Sequence, residues 1–127
     1  MLFRSAVSHA GVAKALRFIA DHFSEDIDID TVARTAGISR RGLHQAFIEH
    51  LSLTPGEHIR STRIEYAKRL LGESNNKVEL VAFLCGYQSV NSFFIAFKQA
   101  CGIPPGEFRK QAMLGRSPKH DGEMAPV

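Results

Sequence analysis

Four hydrogen-bonding side chains crowd one short stretch of the chain: Arg40, Arg41, His44 and Gln45. Arg40 and His44 are four residues apart, as are Arg41 and Gln45, so on a helix the two pairs lie side by side on one face. That set suits recognition better than bond-breaking. A guanidinium is a planar fork that fits guanine O6 and N7 together, and a glutamine amide fits adenine N6 and N7 in the same way. The plainer alternative is a basic helix end whose arginines touch only phosphate. Asn91, Ser92, Phe94 and Ile95 occupy a comparable stretch fifty residues on. There Asn91 and Ser92 offer hydrogen bonds, whereas Phe94 and Ile95 can only touch thymine methyls or pack on a neighbouring protein surface. Ser39, Arg60, Arg63, Lys68 and Lys98 are the expected phosphate contacts, with Arg63 equally able to tie its own helix to Glu49 or Glu57.

Catalytic chemistry finds little footing. The six histidines include no His-x-x-x-His pair with a glutamate between, so neither a metal nor another cofactor is expected. The two cysteines, Cys85 and Cys101, are too few for a disulfide scaffold and fall at positions expected to be buried, where thiols act as small hydrophobes. The chain is read as no enzyme.

With 127 residues, 44% hydrophobic and 23% charged, the composition is that of one soluble globular domain. No run of apolar residues is long enough for a membrane span or a signal peptide, so a cytoplasmic location is expected. The formal charge is +3 and unevenly spread: residues 31–70 hold seven bases (Arg34, Arg40, Arg41, Arg60, Arg63, Lys68, Arg69) against three acids (Glu49, Glu57, Glu65). A mid-chain basic balance permits a nucleic-acid partner without requiring one.

The elements that must position these side chains emerge from an internal repeat. Residues 29–37 (IDTVARTAG) match 78–86 (VELVAFLCG) at an offset of 49, and after the glycines the offset becomes 50, one extra residue in the second turn. Leu43 then pairs with Phe93, Phe47 with Phe97, and Pro55-Gly56-Glu57 with Pro105-Gly106-Glu107. Each copy reads as a short helix ended by glycine, a longer amphipathic helix, and a helix begun by proline. Ser39 is placed to cap the longer helix of the first copy, and Leu43, Ala46, Phe47 and His50 form its inward stripe. Thr54-Pro55-Gly56-Glu57 is a capping box with proline at the first helical position, opening a helix that runs to about Leu71. Ahead of the repeats, Val12, Leu16, Ile19 and Phe23 predict a helix from about Ser8 to Phe23.

The expectation is an all-α chain of about seven helices. It comprises an N-terminal helix with a first helix-turn-helix subdomain over 1–54, a long linker helix over 55–72, a second helix-turn-helix over 73–112 and a flexible tail over 113–127. Small Ala33 and Ala82 with the following glycines suit two helices crossing steeply, the geometry that offers the second helix to a major groove.

The duplicated pattern resembles the DNA-binding part of the AraC/XylS transcriptional regulators. The residues that carry the likeness are Leu43 to Phe47, Thr54-Pro55, Arg63-Ile64 with Ala67 and Leu70-Leu71, Cys85-Gly86-Tyr87, Phe93, Phe97-Lys98 and Pro104-Pro105-x-x-Phe108-Arg109. The resemblance covers about residues 8–110. It implies sequence-specific binding of double-stranded promoter DNA by a bacterial, nucleoid-associated transcription regulator, most simply an activator, with RNA polymerase as a further partner. Many members of the family place an effector-sensing domain before this module; as only about 28 residues precede the first repeat, the chain is expected to be either a short stand-alone member or an excised C-terminal half whose effector-sensing domain is separate or truncated. Ile95 stands where members of the family commonly carry arginine, which shifts the expected base reading toward the first copy. A helical protein-interaction module without DNA specificity of its own is the competing reading.

Overall fold

The computed structural model describes residues 2–115, with side chains from His9 onward. Among the described residues all regular structure is helical: α1 (Leu2–His22), α2 (Ile29–Ala36), α3 (Arg40–Leu51), α4 (Pro55–Glu73), α5 (Val78–Leu84), α6 (Val90–Cys101) and α7 (Pro105–Gly115). The chain divides into two units, one ending at Arg63 and one beginning at Ile64, so the division falls inside α4. α1 starts six residues before the predicted Ser8, because residues 2–8 contain no proline or glycine to stop it. α7 continues through 113–115, where a tail was expected, and the rest of that tail lies outside the described residues.

Unit 1 is built by α1 packing on both α2 and α3, which also pack on each other. Its core takes Val12, Ala15 and Ile19 from α1, Val32, Ala33 and Ala36 from α2, Leu43, Ala46 and Phe47 from α3, and Ile59 from α4. Leu16 and Phe23 of the expected stripe are half-buried at its edge, and Ala15 occupies the centre instead. A small residue there lets α1 come close; at Gly11, one turn earlier, an added Cβ would lie only 3.1 Å from Ile38 Cδ1. His50 is half-buried, edge-on to His9.

Unit 2 repeats this construction with different side chains. Val81, Ala82 and Cys85 of α5 and Phe93 and Phe97 of α6 are buried against Ile64, Ala67 and Leu71 of α4. An aromatic series runs through it, Tyr87 to Phe93 to Phe97 to Phe108, with neighbouring ring centroids 5.5, 5.7 and 5.5 Å apart. Ile64, Ala67 and Leu71 have the same spacing as Val12, Ala15 and Ile19, so the second half of α4 closes unit 2 as α1 closes unit 1. Cys85 is fully buried as expected, while Cys101 is only partly covered, and the covering pushes its thiol pKa up and keeps it protonated.

The two turns are made by the same hydrogen bonds. Gly37 (φ 76°) and Ile38 donate their N–H groups to the Arg34 and Ala33 carbonyls, each at 3.1 Å; Gly86 (φ 100°) and Tyr87 donate to Phe83 and Ala82 at 3.0 and 3.1 Å. Both are the paired closure of a helix C-terminus around a left-handed residue. Ser39 and Ser89 then cap α3 and α6, their hydroxyls accepting from the Gly42 and Ser92 amides at 2.9 and 3.0 Å.

At the far end of the same helices the two units differ. Gly102 closes α6 at φ 82°, whereas Ser52 holds the equivalent left-handed position at φ 58°. A side chain in this region costs about 1 to 2 kcal/mol, partly offset by glycine's larger unfolded-state entropy. Ser52→Gly is expected to raise stability by about 0.5 to 1 kcal/mol and Gly102→Ser to lower it by as much, read as opposite shifts in thermal midpoint. No atom lies within 4 Å of a Cβ built at Gly102, so the reverse substitution isolates the backbone effect.

Candidate nucleic-acid interface

In unit 1 the burial of Leu43, Ala46 and Phe47 fixes the rotation of α3 about its axis. Arg40, Arg41, His44 and Gln45 are therefore all exposed on the opposite side, with Ser39 exposed at the helix start. Arg40 donates through one Nη to Asp30 Oδ1 at 3.1 Å, a bond from α3 to α2 between two well-exposed side chains. Such a pair contributes at most about 1 kcal/mol and yields readily to a stronger anion. Among the described residues Arg41 has no hydrogen-bond or ion-pair partner. Its side chain is exposed.

The capping box forms as expected. Thr54 N–H donates to Glu57 Oε1 at 2.8 Å and Glu57 N–H to the Thr54 hydroxyl at 3.1 Å. The first of these bonds holds the Glu57 carboxyl below its usual range, with Arg60 and His44 near enough to help. Asp28, the N-cap of α2, is held low in the same way by the Thr31 N–H. His58, half-buried and edge-on to Phe47, has its pKa pushed down by burial and favours the neutral ring.

In unit 2 the burial of Phe93 and Phe97 sets α6 so that Asn91, Ser92, Phe94, Ile95 and Lys98 face outward. Ser92 is drawn into the cap: its amide donates to Ser89 Oγ, and its own Oγ accepts from the Ser89 hydroxyl at 2.8 Å. Phe94 and Ile95 remain 40% and 53% exposed.

The expected phosphate contacts separate into groups. Arg60 and Lys98 are exposed. Lys68 is half-buried and donates to Glu65 Oε2 at 3.1 Å. Arg63 is used inside unit 1, where Nε donates to the Phe23 carbonyl at 2.8 Å and one Nη to the Glu25 carbonyl at 3.0 Å. It thereby satisfies carbonyls at the C-terminus of α1, where a cation also suits the helix dipole. Arg109 does the same in unit 2 for the Leu71 and Ser74 carbonyls at 3.0 and 3.3 Å. Sequence spacing did not point to this role, because it pairs an arginine with backbone about 40 residues away. The acidic partner of Arg40 was missed for a similar reason, ten residues and a turn separating Asp30 from it.

Among the described residues no group of three or more His, Cys, Asp or Glu side chains gathers as a metal site, and no helix is long and apolar enough to cross a membrane.

A model of the helix-turn-helix domain matches residues 32–111. The transcriptional activator RhaS of Escherichia fergusonii is 32% identical over 95 residues, 75% of this chain and 34% of that protein. The chain thus spans about a third of the length of the curated relatives it matches. Among solved structures, the DNA-binding domain of the global transcriptional factor AdpA in complex with a target DNA superposes with a TM-score of 0.79 at 28% identity, covering 83% of this chain and 95% of that one. An AraC-type transcriptional regulator from Chromobacterium violaceum superposes with a TM-score of 0.76 at 25% identity, covering 84% and 96%.

Proposed function

The chain belongs to the AraC-type helix-turn-helix family, whose members are DNA-binding transcription regulators and not enzymes, and from that membership we propose that it binds double-stranded promoter DNA sequence-specifically as the DNA-binding part of a bacterial transcription activator. The observation that carries this reading is the outer face of α3, where Arg41 has no partner among the described residues and Arg40, His44 and Gln45 stand exposed beside it. In the proposed complex Arg41 reads guanine and Gln45 adenine, with Arg40 leaving Asp30 to join them. Ser39, Arg60 and Lys98 neutralise or hydrogen-bond phosphates. Asn91 is the polar reader of α6. The proposed setting is the cytoplasm, on the nucleoid, with RNA polymerase as the protein partner and an effector-sensing domain supplied by another part of a longer protein or by a separate one.

Titrating a labelled random duplex at several salt concentrations tests the reading. Neutralising ~4 to 8 phosphates gives a log–log slope of about −4 to −7, since each released counterion contributes about 0.9. A slope near zero would favour a protein-interaction module, a reading that the exposed Leu80, Phe83 and Leu84 of α5 would then explain.

A further inference from the structure

The second unit keeps the architecture of the first and loses its hydrogen-bonding surface. The offset of 50 sets Asn91 at the place of Arg41, Phe94 at that of His44 and Ile95 at that of Gln45. The equivalence is structural as well as numerical. Ser89 caps α6 as Ser39 caps α3, and Phe93 and Phe97 are buried where Leu43 and Phe47 are, so each helix presents the same positions outward from its own unit. Packing does not fully account for either side chain: Phe94 sets its ring against Phe93 at 6.3 Å yet stays 40% exposed, and Ile95 is 53% exposed.

We infer that α6 recognises thymine: Phe94 and Ile95 receive 5-methyl groups in the major groove, Asn91 one turn before them reads adenine, and Lys98 one turn after them meets phosphate. The inference rests on the DNA-binding reading and names the bases that unit 2 takes. Its chemical basis is the inventory of the groove, where thymine alone presents an apolar group. Over a G·C pair the two side chains would cover guanine O6 and N7 and the cytosine amine without replacing the water they displace, leaving those groups unsatisfied. Over thymine they bury methyl against methyl and ring. The stripe in which they sit argues the same way. Asn91 offers the paired donor and acceptor that adenine requires, and Lys98 is a residue type depleted from apolar protein–protein contacts. α6 is thereby matched to an A·T-rich segment.

The experiment uses the full chain and a duplex recovered by selection from a random library. Each thymine of that duplex is replaced in turn by deoxyuridine, which deletes one methyl group and leaves every hydrogen-bonding group in place. Wild-type protein is expected to lose about three- to fivefold in affinity at one to three thymines, the effect of withdrawing one buried methyl from contact. Phe94→Ala or Ile95→Ala flattens the scan at those positions, while Phe94→Leu retains it. Phe83→Ala, which trims a ring 70% exposed on α5, leaves the scan as in wild type. Circular dichroism confirms that each variant is folded. A scan flat in wild type, one unchanged in both alanine variants, or one erased by Phe83→Ala would overturn the inference, the first being the result if a protein covers this face. All three leave the DNA-binding reading standing; failure to recover any selected duplex, with salt-independent binding, removes that reading too.

Discussion

Arg41→Ala weakens binding to the selected duplex by about 5- to 150-fold, the equivalent of the ~1 to 3 kcal/mol that a bidentate arginine–guanine pair supplies against the wrong base. Binding to random duplex falls far less. Arg41 is the choice over Arg40 because Arg40 must exchange Asp30 for a base or phosphate, whereas Arg41 has no partner among the described residues to leave. Arg40→Ala is therefore expected to cost less than Arg41→Ala at the same site. Competition binding with both duplexes at fixed salt makes the comparison. Equal losses on selected and random DNA, with the salt slope reduced by about 0.9, would place Arg41 on phosphate and return base reading to its neighbours.

The architecture was legible because the chain states it twice. Once 29–37 is matched to 78–86, the glycine closure, the serine cap and the proline-started helix each appear in duplicate, and the structure makes the same glycine-closure and serine-cap hydrogen bonds in both copies. Local chemistry of this kind is written within five residues. The closing helices were harder to read, since Val12-Ala15-Ile19 matches Ile64-Ala67-Leu71 at an offset of 52, not 49, and the different loop that follows each one hides the relation. Arg63 and Arg109 were illegible for another reason. Their partners are carbonyls, which have no identity in the sequence, and they act one helical turn apart in the two copies, so the repeat does not align them. The outward direction of Arg40, Arg41, His44 and Gln45 was readable from helical spacing, but the Asp30 pairing that distinguishes Arg40 from Arg41 depends on how α2 crosses α3. Cys101 stands fifty residues after Leu51, at the same place in the repeat, and both are partly covered, so the expected burial of Cys101 fails.

Phe93→Ala is expected to cost unit 2 about 3 to 5 kcal/mol, the range for deleting a buried aromatic side chain. The upper end applies here. Phe93 is fully buried and its ring meets Tyr87, Phe94 and Phe97 at centroid distances of 5.5, 6.3 and 5.7 Å, contacts that contribute beyond the area they cover. Phe47→Ala should cost unit 1 less, because among the described residues the ring contact it loses is with His58, at 5.9 Å. Set against the ~5 to 15 kcal/mol of a whole small domain, the Phe93 loss brings unit 2 close to its unfolding midpoint. The core that contains Phe93 is made wholly of residues from Ile64 onward, so the damage should be local. Hydrogen exchange checks this: amides of α5, α6 and α7 lose protection while those of α1, α2 and α3 retain theirs. Loss across both units would show that the two cores fold as one cooperative structure. If the loss is confined, the variant becomes a functional dissection as well. It should still discriminate guanine through Arg41 while the deoxyuridine scan goes flat, because the helix that carries Phe94 and Ile95 no longer holds them against a groove.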